Sequence, residues 1–358
     1  MKVKYYHFMG IIMTTKTKTI LFAGLIMTMM VPLTGINMAA AVNENAEAHV
    51  ANIQAELPAH VIPVQERIDN AIDRNPNWIG LITWDEQGAS IKYLGPGNEN
   101  PYRLNQEQWQ HRPPVDMGID DGVLPTADAA LTTPINVFDS IYWRELWGNN
   151  DIYKIEQTFP LKASTTTGVD LYHWLDAKSS TTNQWLQASA VYDKAKLFDT
   201  TEKWYANFDL WHTSDCTEDS SFPIQSPVSF TTDNTATSYI RGDSTAGKYK
   251  MFVSSGAVGA GVTFTISGDN GHNIDVGYTS GSGCAFPSGA HVEEQSNNGN
   301  KHYYGTIEYT YGFYETSSSS KETSVYSYNG KGGYGGSVTE YTNPAKLKFS
   351  CTGTLTCP

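Results

Sequence analysis

The sequence predicts an all-β fold, a sandwich or a barrel, preceded by an N-terminal segment that mixes helix and strand. Its 358 residues include 31 glycines and 21 tyrosines but only 17% charged residues, a mixture that favours strands joined by many turns. From about residue 137 onward, short runs of β-branched and aromatic residues alternate with clusters of Gly, Ser, Asn and Asp, without helical periodicity.

Residues 1–41 are interpreted as an export signal. Lys16 and Lys18 precede the apolar run Ile20–Leu33, and the small residues Ala39–Ala41 come just before a polar stretch. The run is short for a membrane span and contains a proline. We therefore expect a secreted or cell-surface protein that has no membrane anchor once the signal is removed; a retained N-terminal anchor is the alternative.

Residues 42–136 form a second segment with mixed character. Val64, Ile68 and Ile72 have helical spacing, and Trp78–Leu94 has the pattern of a β-hairpin around a Glu-Gln-Gly turn. Prolines then accumulate between residues 95 and 135, as in a linker or an extended wrap. Both a pro-segment and a small accessory domain fit this composition.

Residues 137–358 are expected to fold as the β-sandwich domain, with strands such as Trp185–Tyr192 and Trp204–Trp211. The net charge of the whole chain is −13. A surface that acidic disfavours nucleic acid and anionic membranes as partners. It suits a soluble protein that works at low pH, where part of the charge is neutralised. We expect this protein to be a monomer.

All four cysteines lie in the second half of the chain, at Cys216, Cys284, Cys351 and Cys357. In an exported protein an even number of cysteines indicates disulfides, and four cysteines allow three pairings. We favour Cys216–Cys284 with Cys351–Cys357, because the last two cysteines would close a small C-terminal loop.

The sequence has no complete Walker loop, no H-E-x-x-H zinc motif and no G-x-S-x-G motif of a serine nucleophile. The histidines of the β region are not paired at metal-ligand spacing, so neither a metal nor an organic cofactor is expected. Arg241-Gly242-Asp243 spells a cell-adhesion tripeptide, which usually occurs by chance. The remaining possibility for catalysis is the chemistry of carboxylate and amide side chains on a β scaffold.

Two segments could supply that chemistry. Gln187 is a neutral amide within the apolar strand-like run Trp185–Ser189, and Glu293 and Glu294 precede a strand that begins near Tyr303. Taken alone, each has an ordinary interpretation, because Gln187 could face solvent and the two glutamates could form a solvated loop pair.

Taken in order along the chain, these segments resemble the glutamic peptidase (eqolisin) family over roughly residues 137–358. The catalytic glutamine of that family lies in a Leu-Gln-x-Gly strand, to which Leu186-Gln187-Ala188-Ser189 is similar. Its catalytic glutamate lies in an Ala-Glu-Trp-Ile-x-Glu segment, followed by a strand of the form Phe-Gly-Thr-Val-x-Phe. Here Val292–Gln295 and Tyr304–Tyr309 resemble those two places.

Further landmarks occur in the same order. Tyr172–Asp176 resembles the family's Trp-x-Gly-Ile-Asp-Gly segment, and Trp204-Tyr205 with Phe208–Trp211 resembles its Trp-Tyr-Glu-Trp stretch. Gly242-Asp243 matches a Gly-Asp pair at a strand. The resemblance implies a concanavalin A-like sandwich, a jelly roll of two antiparallel sheets.

The resemblance implies an exported acid endopeptidase that acts on protein or peptide substrates. Gln187 would stabilise the oxyanion, and Glu293, or Glu294 as second choice, would serve as general base and then general acid. An aromatic groove would raise the pKa of the glutamate by desolvation. The groove residues would be Trp174, Trp185, Trp204, Tyr205 and Trp211.

Two other classes of function stay open at this point. One is a non-catalytic carbohydrate- or peptide-binding module on the same lectin-like sandwich, because a fold does not fix a function. The other is a cell-surface structural or adhesion protein with a surface rich in Ser, Thr, Asn and Gly.

Overall fold

A computed structural model describes residues 57–95, 100–104, 152–162, 169–179, 181–182, 184–194, 202–275, 279–280, 285–286, 289–296, 306–314, 336–342 and 345–351. The predicted export signal and the predicted domain boundary at residues 136/137 lie outside these ranges. The chain from Ala46 to Pro358 forms one compact unit.

The described elements are one helix and eighteen strands, named here in chain order. They are α1 (Ile62–Arg74), β1 (Ile79–Asp85), β2 (Gly88–Leu94), β3 (Lys154–Pro160), β4 (Val169–Ser179), β5 (Gln184–Lys194), β6 (Glu202–His212), β7 (Thr217–Glu218), β8 (Ile224–Phe230), β9 (Thr235–Gly242), β10 (Lys248–Ser255), β11 (Val258–Thr265), β12 (Ile274–Asp275), β13 (Thr279–Ser280), β14 (Ala285–Phe286), β15 (Gly289–Ser296), β16 (Thr306–Tyr314), β17 (Gly336–Thr342) and β18 (Ala345–Cys351).

Most of the strands form two large antiparallel sheets. One has nine strands in the order β17-β18-β16-β3-β9-β10-β11-β1-β2. The other has seven strands, with β4, β5 and β6 at its centre, β12 and β15 beside β4, and β7 and β8 beside β6. The all-β sandwich of two antiparallel sheets that the sequence predicts is confirmed.

The main core lies between the two sheets. Alternate residues of β5 and β6, such as Leu186, Ala188 and Phe208, belong to one buried cluster with Met251 and Val262 of the nine-stranded sheet. Because successive side chains of a strand point to opposite faces, the intervening residues of β5 and β6 lie on the other face of the seven-stranded sheet. We call that side the outer face.

The predicted N-terminal hairpin is present, but it does not stand alone. β1 pairs with β2 across the Glu86-Gln87 turn, and β1 also pairs with β11 from Gly80↔Thr263 to Trp84↔Gly259. The hairpin therefore extends the nine-stranded sheet at one edge.

Helix α1 covers the side of the nine-stranded sheet that faces away from the main core. Its Ile68 and Ile72 are buried in a second cluster with Ile82, Trp84 and Phe252. Gly80 lies directly under the helix, because a β carbon there would come within 2.4 Å of the Ile68 side chain. The helix predicted around Val64–Ile72 is thus confirmed and packs on the sheet as a third layer.

Ion pairs fix the polar side of this contact. Lys250 Nζ lies 2.7 Å from Asp69 of α1 and 2.9 Å from Asp243, and Lys248 Nζ lies 2.7 Å from Asp73 of α1. Both lysine side chains are almost completely buried. Burial by itself would raise the pKa of Asp243, but the charges of Lys250, Arg241 and Lys248 outweigh it and hold that pKa well below its usual range.

Three further sequence predictions touch the described residues. Cys216 is disulfide-bonded, but its predicted partner Cys284 lies outside those residues, so the pairing stays a prediction. In the Arg241-Gly242-Asp243 tripeptide, Arg241 is buried and Asp243 is paired with Lys250, so the tripeptide has a structural role. In the described part of the chain, no helix has the length and apolar character needed to span a membrane.

Candidate active site

A row of buried polar side chains crosses the centre of the outer face. Asp176 of β4, Gln187 of β5 and Asp209 of β6 occupy facing register positions on three adjacent strands. All three side chains are 0–1% exposed. Gln187 Nε2 donates a hydrogen bond to Asp176 Oδ1 at 2.8 Å, which fixes the orientation of the carboxamide.

Asp209 is held in place by its own strand. Its Oδ1 accepts the Leu210 backbone N–H and its Oδ2 accepts Trp211 Nε1–H, both at 2.8 Å. Hydrogen bonds of this kind stabilise the ionised form of a buried carboxylate. The row therefore places two aspartate side chains on the two sides of one carboxamide.

A second row of polar residues lies next to the first. Trp174, Ser189, Asn207 and Gln225 face one another on β4, β5, β6 and β8. The three polar side chains are 0% exposed, and Ser189 Oγ donates to the Asn207 carbonyl oxygen at 3.4 Å. Within the described part of the chain, the side-chain nitrogen and oxygen of both Asn207 and Gln225 have no hydrogen-bond partner.

Four of the five predicted groove aromatics flank these rows. Trp174 stacks on Tyr172 with ring centroids 5.5 Å apart and planes at 4°. Trp185 and Trp211 form a buried cluster at the other end, near Cys216. Tyr205 has the outer-face alternation of Asn207 and Asp209.

Trp204 has a different position. It belongs to the main core between the sheets, where it stacks on His173 at 5.1 Å and contacts Tyr192. The one-residue offset from Tyr205 puts it on the opposite face of β6. The structure therefore does not bring Trp204 to the same face as the other four aromatics.

The predicted glutamates lie on the neighbouring strand β15. Position 293 faces Tyr172 and position 294 faces Leu171, whereas Gly289 faces Asp176. Position 293 is thus in the row of Tyr172 and Val191, four residues from the row of Gln187, or about 13 Å along the strands. β4 separates β15 from β5, so the register does not bring Gln187 and Glu293 side by side.

A short piece of the N-terminal segment borders the outer face. The Gln225 N–H donates to the Tyr102 carbonyl oxygen at 2.9 Å, and the Leu104 N–H donates to the Pro223 carbonyl oxygen at 3.1 Å. Leu104 is buried in a cluster with Tyr172, Trp174 and Val191. Residues 100–104 therefore run beside β8 and contact the aromatic end of the outer face.

His173 lies behind the site, in the main core. Its ring is 4.7 Å from Phe159 and 5.1 Å from Trp204, and the side chain is fully buried. Burial lowers the pKa of His173 to about 3, so the imidazole is neutral over most of the pH range. It does not belong to the outer-face rows.

Sequence reasoning found Gln187 but missed Asp209, Asn207 and Gln225 as site candidates. The sequence did mark Asp209 and Asn207 as it marked Gln187, by a polar residue within a strand-like run. The alternate positions 205, 207, 209 and 211 are Tyr, Asn, Asp and Trp. Gln225 had no comparable local signal. In the part of the chain that the structure describes, no group of three or more His, Cys, Asp and Glu side chains could hold a metal ion.

Neither a family model nor a curated protein matches the chain. Solved structures similar to it include scytalido-glutamic peptidase with a transition state analog inhibitor, at 11% identity and a TM-score of 0.34 over 61% of this chain and 100% of the other. SCP-B, a member of the eqolisin family in a complex with the tripeptide Ala-Ile-His, has 11% identity and a TM-score of 0.32 over 61% and 100%.

The enzymatically active domain of bacteriophage CBA120 tailspike protein 2 is also similar, at 11% identity and a TM-score of 0.26 over 50% of this chain and 24% of the other. All these likenesses are remote. At such TM-scores they carry no conclusion about function, so the functional argument depends on the residues of the outer face.

Proposed function

We propose that this chain is an acid endopeptidase whose reaction takes place on the outer face of the seven-stranded sheet, at Gln187. The observation that carries the proposal is the buried Gln187 carboxamide, held by Asp176 and placed in one row with Asp209. An amide fixed in this way is a preorganised donor, which is what a developing oxyanion requires.

Hydrolysis would proceed in two steps. A carboxylate takes a proton from water, the water oxygen attacks the scissile carbonyl carbon, and the carbonyl oxygen becomes an oxyanion that accepts a hydrogen bond from the Gln187 amide. The protonated carboxyl group then gives its proton to the leaving nitrogen as the C–N bond breaks. One carboxyl group thus serves first as base and then as acid.

The identity of that carboxyl group is the open part of the proposal. The resemblance favours Glu293, with Glu294 as second choice, whereas the register of β15 separates both from the row of Gln187. Asp176 already contacts Gln187 and is the alternative. Each carboxylate can be tested by a change to its amide, which keeps the size and removes the proton transfer.

The test is proteolysis of a denatured protein substrate between about pH 2 and pH 7, followed by mass spectrometry. We expect cleavage at acid pH and a loss of about a hundredfold or more in Gln187→Ala, the usual cost of removing an oxyanion donor. Glu293→Gln, Glu294→Gln and Asp176→Asn are compared at equal folded concentration. Gln157→Leu, which changes a buried amide of the main core, is the matched control.

A folded protein that cleaves nothing at any of these pH values contradicts the proposal. If activity is lost in Asp176→Asn but retained in Glu293→Gln, the general base is Asp176 of β4 and not Glu293 of β15. Activity that survives in Gln187→Ala removes Gln187 from the reaction.

We further propose that the protein is exported by its first 41 residues and works as a monomer outside the cell, on protein or peptide substrates. The support is the basic, apolar and small-residue order of that segment and the disulfide bond of Cys216. N-terminal sequencing of the protein recovered from the culture medium tests this. A mature N-terminus near Val42 is expected, and retention of the whole protein in the cell contradicts it.

One observation favours a second function, a non-catalytic binding module on the same face. The register places the glutamates of β15 away from Gln187, so the row could bind a ligand without cleaving it. Binding of an intact peptide that is never hydrolysed would distinguish this function from the first.

A further inference from the structure

Asn207 and Gln225 are an unusual pair. They face each other across β6 and β8, one row from Gln187, and both are 0% exposed. Their side-chain nitrogens and oxygens lack hydrogen-bond partners within the described part of the chain. The neighbouring amide Gln187, by contrast, is hydrogen-bonded to Asp176.

Two unpaired carboxamides are costly to keep in a folded protein. A buried polar group without a partner destabilises the fold by about 1–3 kcal/mol, and apolar residues of the same shape carry no such cost. Packing alone would therefore favour Leu or Met at these positions. Retaining both amides is consistent with a partner that comes from outside the fold.

The chemistry of the pair limits what that partner can be. Each carboxamide offers both donors and an acceptor and has no charge. Asp176 and Asp209 occupy the next row, so an anionic ligand would be repelled. The partner should be neutral and should present donors and acceptors together, as the N–H and C=O of a peptide main chain do.

The arrangement of the two amides also fits an extended peptide. Side chains that face each other across an antiparallel pair are about 5 Å apart, and an extended chain presents a new N–H and C=O on the same edge every two residues, about 7 Å on. Flexible amide side chains can bridge that difference.

We propose that Asn207 and Gln225 form a subsite that binds the main chain of an extended, neutral peptide beside Gln187. The subsite deepens the proposed peptidase function and rests on it for the choice of a peptide. It holds the substrate through its backbone, so it sets affinity with little preference for side chains.

The test is a thermodynamic cycle on the full-length protein. The probe is an N-acetylated, C-amidated octapeptide of Ala, Ser and Tyr, compared with the same peptide N-methylated at alternate residues, which removes N–H donors along one edge. Kd is measured by calorimetry at pH 4 and pH 7, after mass spectrometry has shown that the peptide is intact. Maltohexaose serves as the neutral sugar probe.

We expect the wild-type protein to bind the unmethylated peptide about tenfold more tightly than the methylated one, as for one or two net hydrogen bonds. In the double variant Asn207→Leu with Gln225→Leu, both peptides should bind equally and weakly. The melting temperature of that variant should stay the same or rise, because unpaired amides are replaced by apolar groups. Gln157→Leu, a buried amide elsewhere, should keep the wild-type preference.

If the double variant does not fold, Gln225→Met carries the same cycle with an expected preference of about threefold. The inference is overturned if the wild-type protein binds no peptide, or if it binds maltohexaose in place of the peptide. It is also overturned if the variants keep the full preference for the unmethylated peptide, because the amides would then hold ordered water only. Peptide bound through this pair without hydrolysis leaves the subsite standing and contradicts the peptidase. Hydrolysis of the peptide with an unchanged KM in the double variant supports the peptidase and contradicts the subsite.

Discussion

At the scale of single residues, the two faces of the seven-stranded sheet use polar groups in opposite ways. His173, on the core side of β4, is held between Phe159 and Trp204 and is neutral. Asp176, three residues on and on the outer face, accepts a hydrogen bond from Gln187. Alternation along one strand thus places the imidazole in the core between the sheets and the carboxyl group in the polar row of Gln187.

The neutral state of His173 predicts a loss of stability in acid. The unfolded chain takes up a proton at this histidine below about pH 6.5, whereas the folded protein does so only near pH 3. A lowered pKa of a base favours the unfolded state as the pH falls. This destabilisation is absent above pH 6.5, and at pH 4.5 it lowers the free energy of unfolding by about 2.7 kcal/mol.

His173→Phe should therefore reduce the difference in the free energy of unfolding between pH 7 and pH 4.5 by about 2–3 kcal/mol, measured by urea denaturation. His272→Gln, at an exposed histidine, is the control and should leave the difference unchanged. An equal pH dependence in wild type and His173→Phe would mean that His173 takes up its proton in the fold at an ordinary pH. The proposed peptidase would therefore lose this stability if it works at acidic pH.

At the scale of elements, helix α1 is attached to the nine-stranded sheet by apolar packing and by ion pairs together. Ile68 and Ile72 supply the packing, and Asp69 and Asp73 reach Lys250 and Lys248 at 2.7 Å. The spacing of four residues puts both aspartates on one side of the helix. If the helix left, the apolar sheet residues beneath it, such as Trp84 and Phe252, would be exposed to water.

Asp243 is the shared partner of this network, so Asp243→Asn should destabilise the protein by about 3–5 kcal/mol at pH 7. Its lowered pKa means that the carboxylate stabilises the fold above about pH 4, and that this stabilisation is lost as the pH falls below that value. Guanidinium denaturation at pH 7 measures the change. Asp85→Asn, at the tip of the β1–β2 hairpin, is the control, and an equally small effect of both changes would contradict the prediction.

At the scale of the whole molecule, the described parts of the N-terminal segment, residues 57–95 and 100–104, are built into the sandwich. β1 pairs with β11, α1 covers the sheet, and residues 100–104 lie beside β8. Removing residues 42–136 as a pro-segment would take away two strands and the helix that buries Phe252 and Tyr239. If part of the segment is removed as a pro-segment, the cleavage must therefore leave β1, β2 and α1 attached to the sandwich.

This arrangement predicts the outcome of a single cut at the expected boundary. A protease site inserted between residues 136 and 137 should yield two fragments that co-elute on size exclusion and melt together, because β1 and α1 stay bound to β11 and β10. The two fragments are analysed by mass after elution at pH 7, with the uncut protein as control. Fragments that separate without denaturant, and leave a folded C-terminal part, would identify a removable pro-segment.

Local pattern was enough to predict several elements correctly. The alternation and turn residues of Trp78–Leu94 predicted the hairpin, and the spacing of Val64, Ile68 and Ile72 predicted α1. The polar residue inside the apolar run Trp185–Ser189 marked Gln187. These features depend on neighbours within a few residues, so they can be read from the chain directly.

Register and layer order could not be read in this way. The sequence by itself determined the all-β class, the hairpin and the helix, and it marked Gln187 as a candidate. Only the tertiary structure decided that Asp176 and Asp209 flank that amide, that Asn207 meets Gln225, and that Trp204 lies in the core. The physical reason is that strand pairing joins residues far apart in the chain, and a shift of one residue exchanges the two faces of a strand.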